Sequence, residues 1–232
     1  MVDAVCGLKG MSVEAVIFDL DGTLIEADLR MREAKREFLR RLRKLGMSFR
    51  PIDARRPAET IMTYLERYHK ADRGFLLKVL EESFKPYELE AAEQAKPRAG
   101  VREVLGKLEL VGCKLGLASN NSRRSVEMVL EKLGVKSSFN AIVTRDDARR
   151  LKPHEEILIK AVKRLGAAPW RSLYVGDSAA DVIAGKRAGV HVAAIVGGAD
   201  SRDKLLRSRP NYLIERLDEV LEIVRVLERR TF

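Results

Sequence analysis

The spacing of hydrophobic positions along this chain changes period, and the changes divide the chain into parts. Val16-Ile17-Phe18 with Leu20 is a short apolar run rich in branched residues, which predicts a buried strand. From Leu29 to Leu45 the pattern is helical, with Met31, Ala34, Phe38, Leu42 and Leu45 on one face. Pro57 suits the first residue of a second helix carrying Ile61, Leu65 and Tyr68. Asp72 suits the cap of a third, with Phe75, Leu76, Val79 and Leu80, and Pro86 the start of a short fourth. No strand is expected between about 26 and 95.

Beyond Pro97-Arg98-Ala99-Gly100 the rhythm alternates. A helix with Val101, Val104, Leu105 and Leu108 precedes a strand at Lys114–Ala118, and the helix Arg123–Leu133 precedes one at Ala141–Thr144. The helix His154–Leu165 leads to Leu173–Val175, and Ala179–Ala188 leads to Val190–Val196. Tyr212-Leu213-Ile214 and a helix to about Leu227 add a last pair. Alternating strand and helix predicts an α/β fold, a Rossmann-like parallel sheet with helices on both faces. The helical block would be an inserted cap: residues 1–25 and 96–232 form the core and 26–95 the cap, above the carboxyl end of the first strand.

At 232 residues the chain can bury a sizeable core. No apolar run is long enough to span a bilayer, which argues against a membrane. Met1–Gly10 lacks the basic start and apolar stretch of a secretory signal and reads as a short extension, with Met11 an alternative start. Cys6 and Cys113 are the only cysteines, too few for a disulfide framework, which points to a reducing cytoplasm. A single glutamine, Gln94, beside abundant Arg, Lys and Glu fits a heat-adapted source. The net charge of +10 favours anionic partners. Without zinc-finger spacing or an aromatic-basic RNA motif it points away from nucleic acid, and it fits either anionic metabolites or only a soluble charged surface. Eight basic residues between Arg30 and Lys44 face only Glu33 and Glu37, and with no Trp on the apolar side this helix reads as packed on neighbours, not on a lipid surface. Oligomeric state leaves no trace in the sequence.

The candidate chemistry lies where strands end. Asp19 and Asp21 follow the first strand, at the edge where open parallel sheets bind ligands. Two buried acids are costly unless they meet a cation, so the pair implies a metal-assisted site with one acid as nucleophile or ligand and the other as acid or base. Gly22 permits close backbone approach, and the Thr23 hydroxyl could hold Asp21. Ser119 and Asn120 end the next core strand and can donate to phosphate oxygens; Asn121 or Ser122 could cap the helix that follows. Lys152 offers a point charge, and Pro153 suits the first turn of a helix. Tyr174-Val175-Gly176-Asp177-Ser178 with Asp181 repeats the opening logic; both acids could face a hard cation, or cap the helix and complement its dipole. His69, His154 and His191 match no metal-ligand spacing.

Taken together, Asp-x-Asp-Gly-Thr, Ser-Asn, Lys-Pro and Gly-Asp-Ser-x-x-Asp, in that order, resemble the four motifs of the haloacid dehalogenase-like superfamily from Val13 onward. The helical insertion, Pro97-Arg98-x-Gly100-Val101 and Lys152-Pro153-His154 resemble its type-1 cap subfamily, which includes phosphoglycolate phosphatases. The resemblance implies a phosphatase acting on a small phosphorylated metabolite, with 2-phosphoglycolate the first candidate. Asp19 would attack phosphorus and Asp21 would serve as acid and base. Gly22, Thr23, Ser119, Asn120 and Lys152 would bind the phosphoryl group, and Lys152, counted with the catalytic residues, would neutralise charge around both Asp19 and the phosphate. Asp19, the main-chain carbonyl of Asp21, and Asp177 would hold Mg2+, with Asp181 a direct or more distant ligand. A phosphomutase on a sugar phosphate and a non-catalytic phosphate-binding protein of the same fold are the alternatives. Tyr64, Arg67, Tyr68 and Arg73 are candidates to reach the substrate from the helical block.

Overall fold

In the computed structural model, residues 13–26 and 30–229 are described. Cys6, Met11 and Leu29, and with them the reading of Met1–Gly10 as an extension, lie outside the described residues. The chain begins with β1 (Ala15–Phe18) and a two-residue strand β2 (Ile25–Glu26), followed by α1 (Met31–Lys44), α2 (Ala58–His69) and α3 (Arg73–Gln94). A second two-residue strand, β3 (Lys96–Pro97), pairs antiparallel with β2. Then come α4 (Val101–Leu110), β4 (Lys114–Ala118), α5 (Arg123–Lys132), β5 (Ala141–Val143) and α6 (Glu156–Leu165). The chain closes with β6 (Ser172–Gly176), α7 (Ala179–Ala188), β7 (His191–Ile195), α8 (Arg202–Arg207), β8 (Tyr212–Ile214) and α9 (Glu219–Arg229).

The six longer strands form one parallel sheet in the order β5-β4-β1-β6-β7-β8. The period-2 alternation of each strand sorts its side chains onto two faces. Ala15, Ile17, Ala118, Tyr174, Val192 and Ala194 pack into one cluster. Val16, Phe18, Leu115, Leu117, Leu173, Val175, Ala193 and Ile195 pack into the other. Both faces are therefore covered, as the α/β reading expects. The first cluster also takes in Phe38, Leu42, Ile61, Met62, Leu65, Leu76, Leu80 and Phe84 of α1 to α3, so the helical block shares one apolar core with that side of the sheet.

Four local expectations change. Pro86 lies inside α3 and does not open a helix of its own. It sits on the exposed face, where the missing N–H faces water, while Leu76, Val79, Leu80, Phe84 and Ala92 carry the buried face straight past it. Pro57 is the residue before α2 and not its first residue. Pro153 precedes α6 by three residues and is not in its first turn. The β2–β3 ribbon joins the two ends of the helical block, a pairing of two residues with two that periodicity cannot register. Asp72 does cap α3, its side chain accepting from the Phe75 N–H. Among the described residues no helix is long and apolar enough to cross a membrane.

Gly185 of α7 lies flat against β7, and a Cβ there would collide with Val192 Cγ2. Gly185→Ala should destabilise the protein by about 1–3 kcal/mol through overpacking. Urea denaturation checks this; an unchanged midpoint would mean that α7 can withdraw from the sheet at no cost.

Candidate active site

β1 pairs with β4 on one side and β6 on the other, with Phe18 level with Leu117 and Val175. The strand order reverses at this point, which opens a crevice at the carboxyl edge. Asp19, Ser119 and Asp177 therefore leave three adjacent strands at one edge. The Asp19 N–H still bonds to the Val175 carbonyl (2.9 Å), which holds the first acid in line with the sheet. The chain then turns tightly, the Leu20 carbonyl accepting from the N–H groups of Thr23, Leu24 and Ile25 (3.3, 2.9 and 3.1 Å). Gly22 takes φ +71° at this turn, and a Cβ there would collide with the Asp177 carboxylate. A Cβ on Gly198 would meet the same carboxylate. Arg98 straps the turn down, donating to the carbonyls of Gly22 (2.6 Å) and Val196 (2.9 Å).

Lys152 is at the centre. Its Nζ lies 2.7 Å from Asp19 Oδ1 and 2.7 Å from Asp181 Oδ1, with the Ala118 carbonyl at 3.1 Å and the Tyr174 hydroxyl at 2.9 Å. Tyr174 donates to Asp181 Oδ1 (2.6 Å). Burial opposes the ammonium, but Asp181 and Asp19 outweigh it and hold Lys152 well above its ordinary range. Burial likewise works against the Asp181 carboxylate, but Lys152, Ser178 and Tyr174 keep it below the usual value. Asp19 is pushed up to about 6 by burial, with Lys152 pulling the other way. Asp21 is pushed up to about 8, chiefly by burial and then by the charge of Asp19.

Asp177 has no cationic side chain within ion-pair distance among the described residues; only the Ala199 N–H donates to its Oδ2 (2.6 Å). Burial and the charges of Asp181 and Asp19 raise its carboxyl well above the usual range. One carboxylate oxygen each of Asp19, Asp177 and Asp181 lie within 4.8 Å of one another. An all-oxygen set of buried anions with one unpaired member fits a hard divalent cation. The Asp21 side chain stands outside that set.

Several roles shift. The Thr23 hydroxyl is buried without a hydrogen-bond partner, so it does not hold Asp21. Asn121 does: its Nδ2 donates to Asp21 Oδ2 (2.5 Å). The Asn120 side chain is spent on the Lys152 backbone, accepting from its N–H (3.0 Å) and donating to its carbonyl (3.3 Å). The Ser119 hydroxyl accepts from the Asn121 N–H (3.2 Å). Asp181 both closes a capping box with Ser178 at the start of α7 and pairs with Lys152, so the two readings of that acid hold together. Ser178, and not Asp177, is the cap of α7.

These groups line a cavity of about 540 Å³. On the helical side its wall is Met31, Arg32, Lys35, Ala54 and Arg55; Tyr64, Arg67, Tyr68 and Arg73 are not part of it. Arg73 is buried instead against Glu59, and Tyr64 packs on Tyr68 and His69. His154 accepts from the Glu156 N–H at the start of α6 (3.2 Å), a structural role. Asn121 and Tyr174 escape a reading of the sequence alone. A tyrosine inside an apolar strand is the one signal available, since its hydroxyl must find a partner when buried.

Replacing Lys152 by Met would leave Asp19 and Asp181 buried face to face without a counter-charge. The variant should lose about 3–5 kcal/mol of stability. A urea midpoint equal to that of the unaltered protein would contradict the buried ion-pair geometry.

Residues 16–195 match the family model of the haloacid dehalogenase-like hydrolases. The chain is 29% identical to the pyrophosphatase PpaX of Oceanobacillus iheyensis, over 92% of this chain and 98% of that protein. Among solved structures, a β-phosphoglucomutase from Clostridium difficile superimposes with a TM-score of 0.67 at 20% identity, over 94% of this chain and 98% of that one. A Haemophilus somnus protein described as a predicted phosphoglycolate phosphatase superimposes with a TM-score of 0.63 at 20% identity, over 90% of this chain and 97% of that one. At these identities the two superpositions speak to the fold, whereas the family match takes in β1 with both of its acids, the Ser119–Asn121 loop, Lys152 and the Asp177–Asp181 segment. With its acids gathered around one buried lysine, the chain belongs to the haloacid dehalogenase-like hydrolase family.

Proposed function

We propose that the protein is a magnesium-dependent phosphatase that hydrolyses a small phosphomonoester through an aspartyl phosphate on Asp19. The observation that carries this reading is the convergence of Asp19, Lys152 and the unpaired Asp177 on one cavity, with Asp21 beside them on a separate hydrogen bond. Asp19 attacks phosphorus, and the bond to the leaving oxygen breaks as Asp21 gives that oxygen its proton. Asp21 then takes a proton from water, whose oxygen displaces Asp19 from phosphorus. Lys152 holds Asp19 in place and offsets the repulsion between its carboxylate and the incoming phosphate. The carboxylates of Asp19 and Asp177 and the main-chain carbonyl of Asp21 would hold Mg2+, with Asp181 held behind them by Lys152; when bound, the ion supplies further charge neutralisation at the phosphoryl group. Ser119 and Gly22 line the cavity and belong to its phosphate pocket, whereas Thr23 is fully buried and does not line it.

The segment 26–95 acts as a cap in this reading, because Met31, Arg32, Lys35, Ala54 and Arg55 roof the acids. A roofed cavity of this size suits a metabolite better than a phosphoprotein. 2-Phosphoglycolate is the first substrate to try, on family resemblance, and pyrophosphate the second, on the name of the PpaX relatives. Cytoplasmic location and a heat-adapted source rest on cysteine usage and composition.

Phosphate release should be measured across a panel of phosphorylated metabolites with and without magnesium. Turnover should require the metal, should vanish in Asp19→Asn, and should fall about a hundredfold to ten-thousandfold in Asp21→Asn. A silent panel would remove the enzyme reading, and transfer of phosphate to a second hydroxyl of the substrate without release would indicate a mutase.

The roofed site also predicts a ranking: kcat/KM for the best small metabolite should exceed that for any phosphopeptide carrying the same phosphoester. Preference for the peptide would show that the helical block does not enclose the substrate.

A further inference from the structure

The helical block sends two buried acids, Glu59 and Glu88, into the loops that carry the site, and Glu88 reaches the loop after β4. Glu88 of α3 is 2% exposed and faces Arg145, which follows β5 and is 4% exposed. Their two contacts are 2.5 Å (Nη1 to Oε1) and 3.2 Å (Nη2 to Oε2). The same pair grips the loop after β4 at both ends. Glu88 Oε2 accepts from the Ser122 N–H (3.2 Å), and Arg145 Nη1 donates to the Asn120 carbonyl (3.1 Å). The Arg145 N–H also donates to the Asn121 carbonyl (3.0 Å). The loop so held carries Asn121, whose side chain grips Asp21, and Asn120, whose side chain grips the Lys152 backbone. Stability alone is a poor reason to keep such a pair, because well-packed apolar residues often replace buried ion pairs without loss.

We propose that the Glu88–Arg145 ion pair is a positioning device through which α3 sets Asn121, and with it the Asp21 carboxyl, for proton delivery to the leaving group. The proposal rests on the phosphatase reading above. It assigns Glu88 and Arg145 no contact with the substrate. It also makes the docking of α3 on the core a condition for the acid step, because half of the device belongs to the helical block and half to the core.

The test compares an ester that needs a proton on its leaving group, glycerol phosphate, with one that hardly does, p-nitrophenyl phosphate. Comparing kcat/KM isolates the first displacement. In the double variant E88M/R145M the thermal midpoint should stay close to that of the unaltered protein. Its kcat/KM for the alkyl ester should fall about tenfold or more, a fraction of what a general acid supplies, with the value for p-nitrophenyl phosphate changing little. Asn121→Ala breaks the last link without touching the buried pair, should show the same split, and decides the matter if the double variant does not fold. Equal losses on both esters, or no loss on either, would overturn the proposal. If the unaltered enzyme releases phosphate from neither ester nor from any alkyl phosphate of the metabolite panel with magnesium present, the phosphatase reading itself fails and this proposal falls with it; an alkyl phosphate of the panel that is hydrolysed takes the place of glycerol phosphate in the comparison.

Discussion

A buried lysine ammonium at the floor of the cavity, held between two carboxylates, is the interaction around which this structure is arranged. Charges are expensive to bury, and a pair recovers that cost only when geometry and hydrogen bonding are nearly complete. Lys152 meets the condition with two carboxylates, a carbonyl and the Tyr174 hydroxyl, supplied by β1, β4, β6 and α7. Such completeness needs the strand order found here, with β1 flanked by β4 and β6. Any other neighbour for β1 would separate the acids that the lysine joins.

One ammonium faces three carboxylates, and they are not served alike. Lys152 compensates Asp19 and Asp181, and Asp177 is left with a single N–H donor. The glycines at 22 and 198 keep the space against its carboxylate free of side chains. A protein that only needed stability would gain nothing from an unpaired buried acid. One that takes up a cation and a phosphate at that spot has a use for it, since the metal then completes the charge balance. The wall above carries Arg32, Lys35 and Arg55 across the cavity from the acidic floor, an arrangement of charge that would draw an anionic ligand toward the roof and a cation toward the floor.

The helical block is tied to this floor by hydrogen bonds as well as by apolar packing. Glu59 of α2 accepts from the Leu151 N–H (2.9 Å), one residue before the lysine, and also binds Arg73 and Arg150. Glu88 of α3 does the equivalent work on the other side, at the Asn120–Ser122 loop. Two acids from one segment thus reach the two loops that hold Lys152 and Asp21. The loops of the site and the docked helices are joined by the same contacts.

Much of this was legible in the amino-acid order. The parallel strands were recognisable because each is an apolar run bounded by turn residues, and the six appear within one or two residues of their expected limits. The acids were recognisable because charges at the end of a buried strand need a reason to be there. Expectations failed where the deciding partner was distant in sequence or the cost fell on an exposed face. Pro86 looks like a helix start until the face it occupies is known. Thr23 is the near neighbour of Asp21, yet the donor that reaches it is Asn121, 100 residues away along the chain. Arg73 looks like a substrate ligand in a basic chain and is instead enclosed with Glu59. Local periodicity therefore determined the elements and most of the buried faces, because each depends on residues a few positions apart; Leu45, Tyr68 and Phe75, expected on apolar helix faces, are instead exposed. The pairing of Lys152 with two acids, the donor on Asp21, the roof of the cavity and the reach of Glu88 into the core were decided by tertiary structure alone, because burial selects partners by distance in space.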